Sequence, residues 1–426
     1  MLETILDVLK KSDNDGWSVM DTKTKGWEFY FIRHNLDQNR VKNVEHVNVT
    51  VYKKTEDRYL GKASAEIGVN DTREEAEKAV NALIERASLV RNPLYTLSEK
   101  KAYKPMEEAA YDIAEVAENF ITAIREVKET AEADVNSYEI FVNDVTARLI
   151  TSTGIDIEER YPSSMSEVVT NARNEKQEIE LYRMYHSGTC DKEGLRKNIE
   201  KTLQYGKDRL QAVPTPALNK CDVVFSTSDA VRIYQFFIQR LSTGMVYQKF
   251  SNWKLKEEID PQTRGDKVTI EAKRMLPDSS LNLICDEEGQ IIEDRILMKD
   301  NVPCAYWGER MSSQLIGVED AFSLSNVVVS GGTKSEAEVR SGRYLEVVEF
   351  SDFQVSPITG NVFGEIRLGY LHEGDKVTIV TGGSVSGTML AYLKNMVFSR
   401  EQVQYDHIVI PSVTKLMDVT VTGAGR

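Results

Sequence analysis

Along the first half of the chain the apolar residues change period in a regular order. Trp27 to Ile32, Val47-Asn-Val-Thr-Val51 and Tyr59 to Ile67 are rich in aromatic and β-branched residues, and the second run alternates. That pattern predicts strands of a sheet with one buried face. Ala76, Ala79, Val80, Leu83, Ile84 and Ala87 then recur by threes and fours behind Asp71 and Glu74, which are spaced as a capping box, and predict a covering helix. Ser88 to Pro105 is polar and aperiodic. After it Met106, Ala109, Ile113, Ala117, Phe120, Ile124, Val127 and Ala131 predict one long amphipathic helix over 106–133 with a glutamate-rich outer face. Strands follow at Tyr138 to Val142, Thr146 to Thr151, Ile155 to Tyr161 and Glu178 to Tyr185, with a closing helix on Leu195, Ile199, Leu203 and Leu210. Strands then helix, twice over, suggests two similar units whose residues do not visibly repeat.

Ala212-Val-Pro-Thr-Pro216 ends this pattern, because two prolines one residue apart forbid a helix and favour an extended linker. The domain boundary is expected there, with one domain at 1–213 and a second at 217–426. The second opens with a strand at Asp222 to Phe225 and a helix over Ser228 to Leu241. Short strands then dominate: Val268 to Ala272, Leu281 to Cys285, Ile291 to Met298, Asn326 to Val329, Tyr344 to Phe350, Val362 to Tyr370 and Lys376 to Thr381, finishing at Ile408 to Ile410 and Val419 to Val421. The expected fold class is α+β: an N-terminal domain of antiparallel sheets covered by helices, and a C-terminal β-rich, barrel-like or sandwich-like domain with a few helices.

Composition narrows the function classes. Hydrophobic content of 41% with 28% charged residues is that of a soluble globular chain. The formal net charge of −14 opposes direct binding to nucleic acid or anionic lipid. No apolar run reaches membrane-spanning length, and Met1 to Lys11 reads as an amphipathic helix and not a signal peptide, so cytoplasmic residence is expected. Cys190, Cys221, Cys285 and Cys304 form no C-x-x-C pair and read as reduced structural thiols.

The candidate chemistry lies late in the chain. Lys376 to Thr381 is followed by Gly382-Gly383-Ser384-Val385-Ser386-Gly387 and then Thr388 to Asn395, which predicts a strand, a glycine-rich turn and a helix capped by Thr388. Free amides at that helix start suit an anion, a carboxylate or a peptide carbonyl. The spacing G-x4-G lacks the lysine of a phosphate loop, and no serine sits midway between two glycines as in a nucleophile elbow. A tight turn with no chemistry accounts for the spacing equally well. His34, His46, His186 and His407 are scattered, and Asp406-His407 with Ser384 or Ser386 makes a triad only on paper.

Gly-Gly-Ser-Val-Ser-Gly with the following Met389-Leu-Ala-Tyr-Leu-Lys-Asn-Met-Val-Phe-Ser399 resembles the C-terminal signature of the TldD/PmbA (TldD/TldE) family, as does the hairpin Ser356-Pro-Ile-Thr-Gly-Asn361 leading into Phe363 to Tyr370. The resemblance implies where a metal site would be. Active TldD-type members carry His-Glu-x-x-x-His on a helix after a Val-Val strand early in the second domain, and a further cysteine ligand near the C-terminus. Counting on from Val223-Val224-Phe225 puts Gln235 and Phe236 at the His-Glu positions and Arg240 at the second His, and 397–407 holds no cysteine. Amide, phenyl and guanidinium do not replace those ligands. The resemblance therefore implies the TldE (PmbA) branch: a subunit with no catalytic residue and no metal of its own, paired with a TldD-like zinc peptidase that degrades unfolded or extended peptides. In that role Gly382, Gly383, Ser384, Ser386 and Gly387, with hairpin 357–361, would form a peptide-binding or interface loop. The alternatives are a homodimeric peptide-binding or scaffold protein, and a stand-alone hydrolase with another site. The older family label, modulator of DNA gyrase, implies no DNA contact in a chain of this charge.

Overall fold

A computed structural model of the chain describes residues 1–105 and 111–425. Its first half contains α1 (Leu2–Lys11), β1 (Gly16–Ile32), β2 (Asn35–Thr55), β3 (Tyr59–Ile67) and α2 (Arg73–Leu89). Next come α3 (Ile113–Arg125), β4 (Ala133–Thr151), β5 (Asp156–Arg173), β6 (Glu178–Ser187) and α4 (Lys192–Arg209). Each set reads helix, three strands, helix. The strands make a single antiparallel sheet in the order β3-β2-β1-β4-β5-β6, so the two sets join edge to edge through β1 and β4. Helices α1 and α2 cover Trp17, Val19, Val47 and Val49, while α3 and α4 cover Phe31, Tyr138, Ile140 and Val168. Trp17, Val19 and Phe31 are all odd-numbered residues of β1, so both helix pairs lie on one face of the sheet.

Several elements differ from the periodicity, each for a local reason. Strands β1 and β2, joined by a turn at Arg33 and His34 with φ of 46° and 64°, run well beyond the predicted spans: β1 extends back to Gly16 through a stretch that buries the polar Asp21, and residues 35–46 of β2 are exposed almost throughout and carry no alternation. The cap of α2 is Thr72, whose hydroxyl and Glu75 form the capping box one residue later than Asp71 and Glu74; Asp71 instead accepts the Gly68 N–H at 2.9 Å. The predicted helix over 106–133 is described only as Ile113–Arg125, started by the Asp112 side chain. Met106 and Ala109 lie outside the described residues. Val127 and Ala131 fall beyond the helix end, where Glu129 accepts the Val135 N–H at 2.8 Å and turns the chain into β4.

The second half begins with β7 (Val213–Pro214), β8 (Leu218–Phe225), α5 (Ala230–Arg240), α6 (Thr243–Tyr247), β9 (Ile270–Lys273), β10 (Arg295–Lys299) and β11 (Val302–Pro303). It continues through α7 (Arg310–Leu315), β12 (Asn326–Val329), α8 (Glu336–Val339), β13 (Tyr344–Val355), β14 (Asn361–Glu373) and β15 (Lys376–Thr381). It ends with β16 (Ser384–Thr388), α9 (Met389–Tyr392), β17 (Val397–Phe398), β18 (Gln402–Tyr405), β19 (Ile408–Pro411) and β20 (Thr414–Thr422). Strands β13, β8, β20, β16 and β14 pair in that order, and β14 pairs back to β13, which closes a barrel. A second sheet runs β11-β10-β9-β12-β19-β18, and α5 packs between it and the barrel against β13 and β19. The fold is α+β with a barrel-like C-terminal region, as the pattern predicts.

Two segments correct the expectation. The proline pair does not sit in a free linker, since Val213 and Pro214 pair with Val380 and Thr381 at the barrel edge. Leu281 to Cys285 is not a strand, because side chains take much of its backbone bonding: Leu281 N–H donates to Ser279 Oγ (3.0 Å), the Leu281 carbonyl accepts from the Asn326 amide (3.0 Å), and Ile284 N–H donates to Glu159 (2.6 Å).

The halves are held together by burial and by polar ties. Leu181 and Tyr205 pack against Val348 and Leu368, the Tyr370 hydroxyl donates to Asp208 at 2.6 Å, and Arg183 pairs with buried Glu349. On the helix-free side of the N-terminal sheet the halves enclose a cavity of about 730 Å³. Among the described residues no helix is long and apolar enough to cross a membrane. At this junction burial should outweigh the hydrogen bond. Leu368→Ala should cost about 2–5 kcal/mol and Tyr370→Phe about 1 kcal/mol, compared as shifts of the urea midpoint.

Candidate functional site

Helix α5 owes its central place to its composition: Ile233, Tyr234, Phe236 and Phe237 are each fully buried, so it presents apolar surface to both sheets. It is anchored at two points. The Tyr234 hydroxyl meets that of Thr414 at 2.7 Å, and the Trp307 indole N–H donates to the Ile238 carbonyl at 2.7 Å. Arg240 is the exception on this apolar helix, 5% exposed and charged. Its guanidinium donates to the carbonyls of Pro357 (3.0 Å) and Ile358 (3.2 Å) and to Asn252 Oδ1 (3.0 Å), and lies 5.0 Å from the Trp253 ring centre and 5.5 Å from that of Phe236. Burial pushes the guanidinium pKa down.

Three segments singled out in the sequence meet here. Arg240 holds the tip of the β13–β14 hairpin. Gly360 in that tip adopts φ +77°, and a Cβ there would stand 3.2 Å from Thr388 Oγ1 and Leu390 Cγ and 3.6 Å from Phe236. The Gly360 carbonyl accepts the Met389 N–H at 2.7 Å, which starts α9. Phe236 and Arg240 share a face of α5, whereas Gln235 turns aside and accepts from Arg232 at 3.1 Å. Asn252 and Trp253, which complete the setting of Arg240, carry no motif or periodicity by which the sequence could have marked them.

The glycine-rich stretch is corrected more deeply. Only Gly382 and Gly383 turn the chain, with φ of +78° and +75°; Ser384, Ser386 and Gly387 belong to β16, which pairs with β14 on one edge and β20 on the other. Gly382 N–H donates to the Ile366 carbonyl (2.9 Å) and Ile366 N–H to the Gly383 carbonyl (3.0 Å). It is therefore not an open loop with free amides. The amides that α9 would offer a ligand are taken by Gly360 and by Thr388 Oγ1. Its glycines answer to close packing: a Cβ on Gly383 would land on the Thr422 carbonyl and one on Gly387 on the Tyr392 hydroxyl.

No nucleophilic triad assembles from the paper candidates. Asp406 is held by Ser280 (2.7 Å) and His407 (3.3 Å) beside β19, in a different sheet from Ser384 and Ser386. His34 pairs with Glu129 and His46 with Glu66, both at 2.8 Å, and His372 stacks on Tyr344 with its pKa lowered by burial.

A family model described as the PmbA/TldA metallopeptidase C-terminal domain matches residues 218–423, the span that contains α5, the hairpin and β16. The chain belongs to the PmbA/TldD family. Solved structures agree with this PmbA/TldD fold over the whole length. TldE from Thermococcus kodakarensis superposes with a TM-score of 0.79 at 15% identity, covering 100% of both chains. A candidate modulator of a DNA gyrase from Thermotoga maritima gives 0.77 at 16% identity, covering 99% of this chain and 100% of that one. One of DNA gyrase from Bacteroides thetaiotaomicron gives 0.78 at 17% identity, covering 99% and 98%. No curated protein sequence matches the chain.

Four substitutions at three positions test this geometry in the PmbA/TldD chain. Arg240→Met strips the hairpin carbonyls of their donor and should cost about 2–3 kcal/mol, read by urea unfolding. Arg240→Lys should recover only part, since an ammonium cannot span the same fork. Gly383→Ala meets both a left-handed backbone and the Thr422 carbonyl and should lower the midpoint by more than about 1 kcal/mol. Ser384→Ala, which breaks no side-chain bond, should stay within about 0.5 kcal/mol.

Proposed function

We propose that this chain is the subunit without a metal site in a TldD/TldE-type peptidase, paired with a family member that carries His-Glu-x-x-x-His and binds zinc. In this reading the partner cuts unfolded or extended peptides, and this chain closes the space around the partner's active site. The observation that carries it is Arg240. At the position of the second histidine stands a fixed positive charge that repels a cation, with Nη1 held by the hairpin carbonyls and Nη2 by Asn252. Phe236, at the glutamate position, cannot activate water, and Gln235 faces Arg232. Among the described residues no group of three or more His, Cys, Asp or Glu side chains could hold a metal ion. Zinc therefore does not fit this cluster.

Exposed apolar side chains at the same end support a partner surface there. Ile358 on the hairpin tip and Leu390 on α9 are each 48% exposed, and Phe363 at the start of β14 is 50% exposed. Hairpin and α9 stand where Arg240 and the packed glycine turn put them, so the glycine-rich stretch would serve an interface by positioning α9. The main-chain bonds of β16 are used within the barrel. Two copies could also meet through this surface, and solution mass separates that case from the heterodimer.

The test is co-expression with a TldD-like family member from the same genome. The expected result is a one-to-one complex that holds zinc and cleaves casein, while this chain alone holds substoichiometric zinc and leaves casein intact. Stoichiometric zinc and chelator-sensitive cleavage by the isolated chain would overturn the assignment.

A further inference from the structure

The cavity between the two halves shares no lining residue with the α5 cluster and is formed within this one chain. One wall is the helix-free face of the N-terminal sheet, where Ser18, Thr22, Asn48, Thr50 and Ser64 point inward. Their neighbours Val19, Val47, Val49 and Val51 are fully buried on the opposite face. Thr50 and Ser64 bond each other at 2.8 Å; with the other polar groups of this inward sheet face they make a polar chamber and not a gap in a core. A volume of about 730 Å³ lies within the range of sites for small molecules and short peptides.

Its charge is one-sided. Lys62 is the sole basic residue on the wall, and its ammonium lies 3.7 Å from Glu288. Two of the acids are occupied: Asp286 accepts three backbone amides, and Glu288 also accepts the Arg310 N–H at 2.7 Å. Glu159, Glu287 and Glu309 remain. Glu159 takes the Ile284 N–H at 2.6 Å on Oε2, with no protein donor to Oε1 among the described residues. These carboxylates are spread around the wall and do not converge, which disfavours a compact metal ion. Between them lie Met20, Leu149, Leu281 and Leu283, which offer apolar surface to methylene groups, and the rings of Tyr52 and Tyr161.

We propose that the cavity binds an organic cation, an ammonium on a flexible alkyl chain, with Glu159 and Glu309 as its charge partners and the Leu149–Leu283 wall against its methylenes. A free polyamine and the lysine side chain of a peptide present the same chemistry. Burial pushes Glu159 up to about 7, opposed by the Ile284 N–H and the Arg274 guanidinium. Tyr161, raised to about 12, stays neutral beside it, as does Cys285, likewise raised to about 12. Lys62, Arg274, Asp286, Glu287 and Glu288 are the other charged groups on the facing elements. A bound ammonium favours the ionised form of Glu159, so binding should strengthen from about pH 6 to about pH 8.

Calorimetric titration of the full chain with spermidine, and with a blocked Gly-Lys-Gly peptide against its Gly-Gln-Gly counterpart, tests this. At least one cationic probe should bind, and which of the two binds identifies the source. Glu159→Gln should weaken binding about tenfold or more and remove the pH trend, and exposed Glu309→Gln should weaken it without altering the unfolding midpoint. The proposal fails if neither spermidine nor the lysine peptide binds better than the glutamine peptide. It fails equally if both folded variants bind as tightly as the parent.

Discussion

A guanidinium in a protein interior must have acceptors, and at Arg240 that requirement fixes the chain around it. Helix α5 is apolar on nearly every side and lies between the barrel and the second sheet, so it cannot roll to bring its last side chain to water. The acceptors must come to the arginine. They are the carbonyls of Pro357 and Ile358 and the side chain of Asn252. With the hairpin tip drawn onto the helix end, Gly360 takes a left-handed backbone and its carbonyl receives the first amide of α9. One side chain thus coordinates three segments far apart in sequence. A desolvated charge costs several kcal/mol when unpaired, while each of these contacts with neutral acceptors gives back about 1.5–3 kcal/mol. The arrangement is stable as a set and poorly tolerant of losing a member.

That coupling changes what the glycine-rich signature means. Read alone, Gly382 to Gly387 suggests amides exposed for a ligand. In the barrel the same glycines are demanded by the Thr422 carbonyl and the Tyr392 ring, which approach too closely for any Cβ. A family signature of this kind marks a packing constraint that sets the position of α9. The helix beside it is α5, with Gln235, Phe236 and Arg240 on its second half. Here the helix offers an amide, a phenyl ring and a guanidinium.

The amphipathic parts of the fold were legible because one buried face leaves a period. Ala76, Val80, Leu83 and Ala87 on α2, and Leu195, Ile199 and Leu203 on α4, fall where their spacing puts them. The outer arm of β2, residues 35–46, has no buried face and so left no period. Residues 281–285 look like a strand by composition, but Ser279, Glu159 and Asn326 supply the backbone's bonds from side chains, a competition that hydrophobicity does not encode. At the candidate site the sequence marked the helix, the hairpin and the glycines separately. Their meeting depends on the closure of β14 onto β13, which joins strands through non-local pairing. Asn252 and Glu159 were invisible for the same reason, since each acquires its role only from residues far along the chain.

The two polar interiors of this protein are of opposite kinds. Around Arg240 the protein supplies acceptors to both terminal nitrogens, the neighbours are aromatic, and only the buried Nε lacks a partner. In the chamber under the N-terminal sheet the walls carry hydroxyls, an amide and carboxylates in excess of what the protein itself bonds, and the burial of Glu159 brings its proton affinity near neutrality. A satisfied cluster stabilises one geometry, whereas an unsatisfied one keeps free energy available for an incoming group. By that criterion the α5 cluster is framework. The same criterion singles out the chamber between the two halves, where Glu159 keeps a carboxylate oxygen without a protein donor among the described residues.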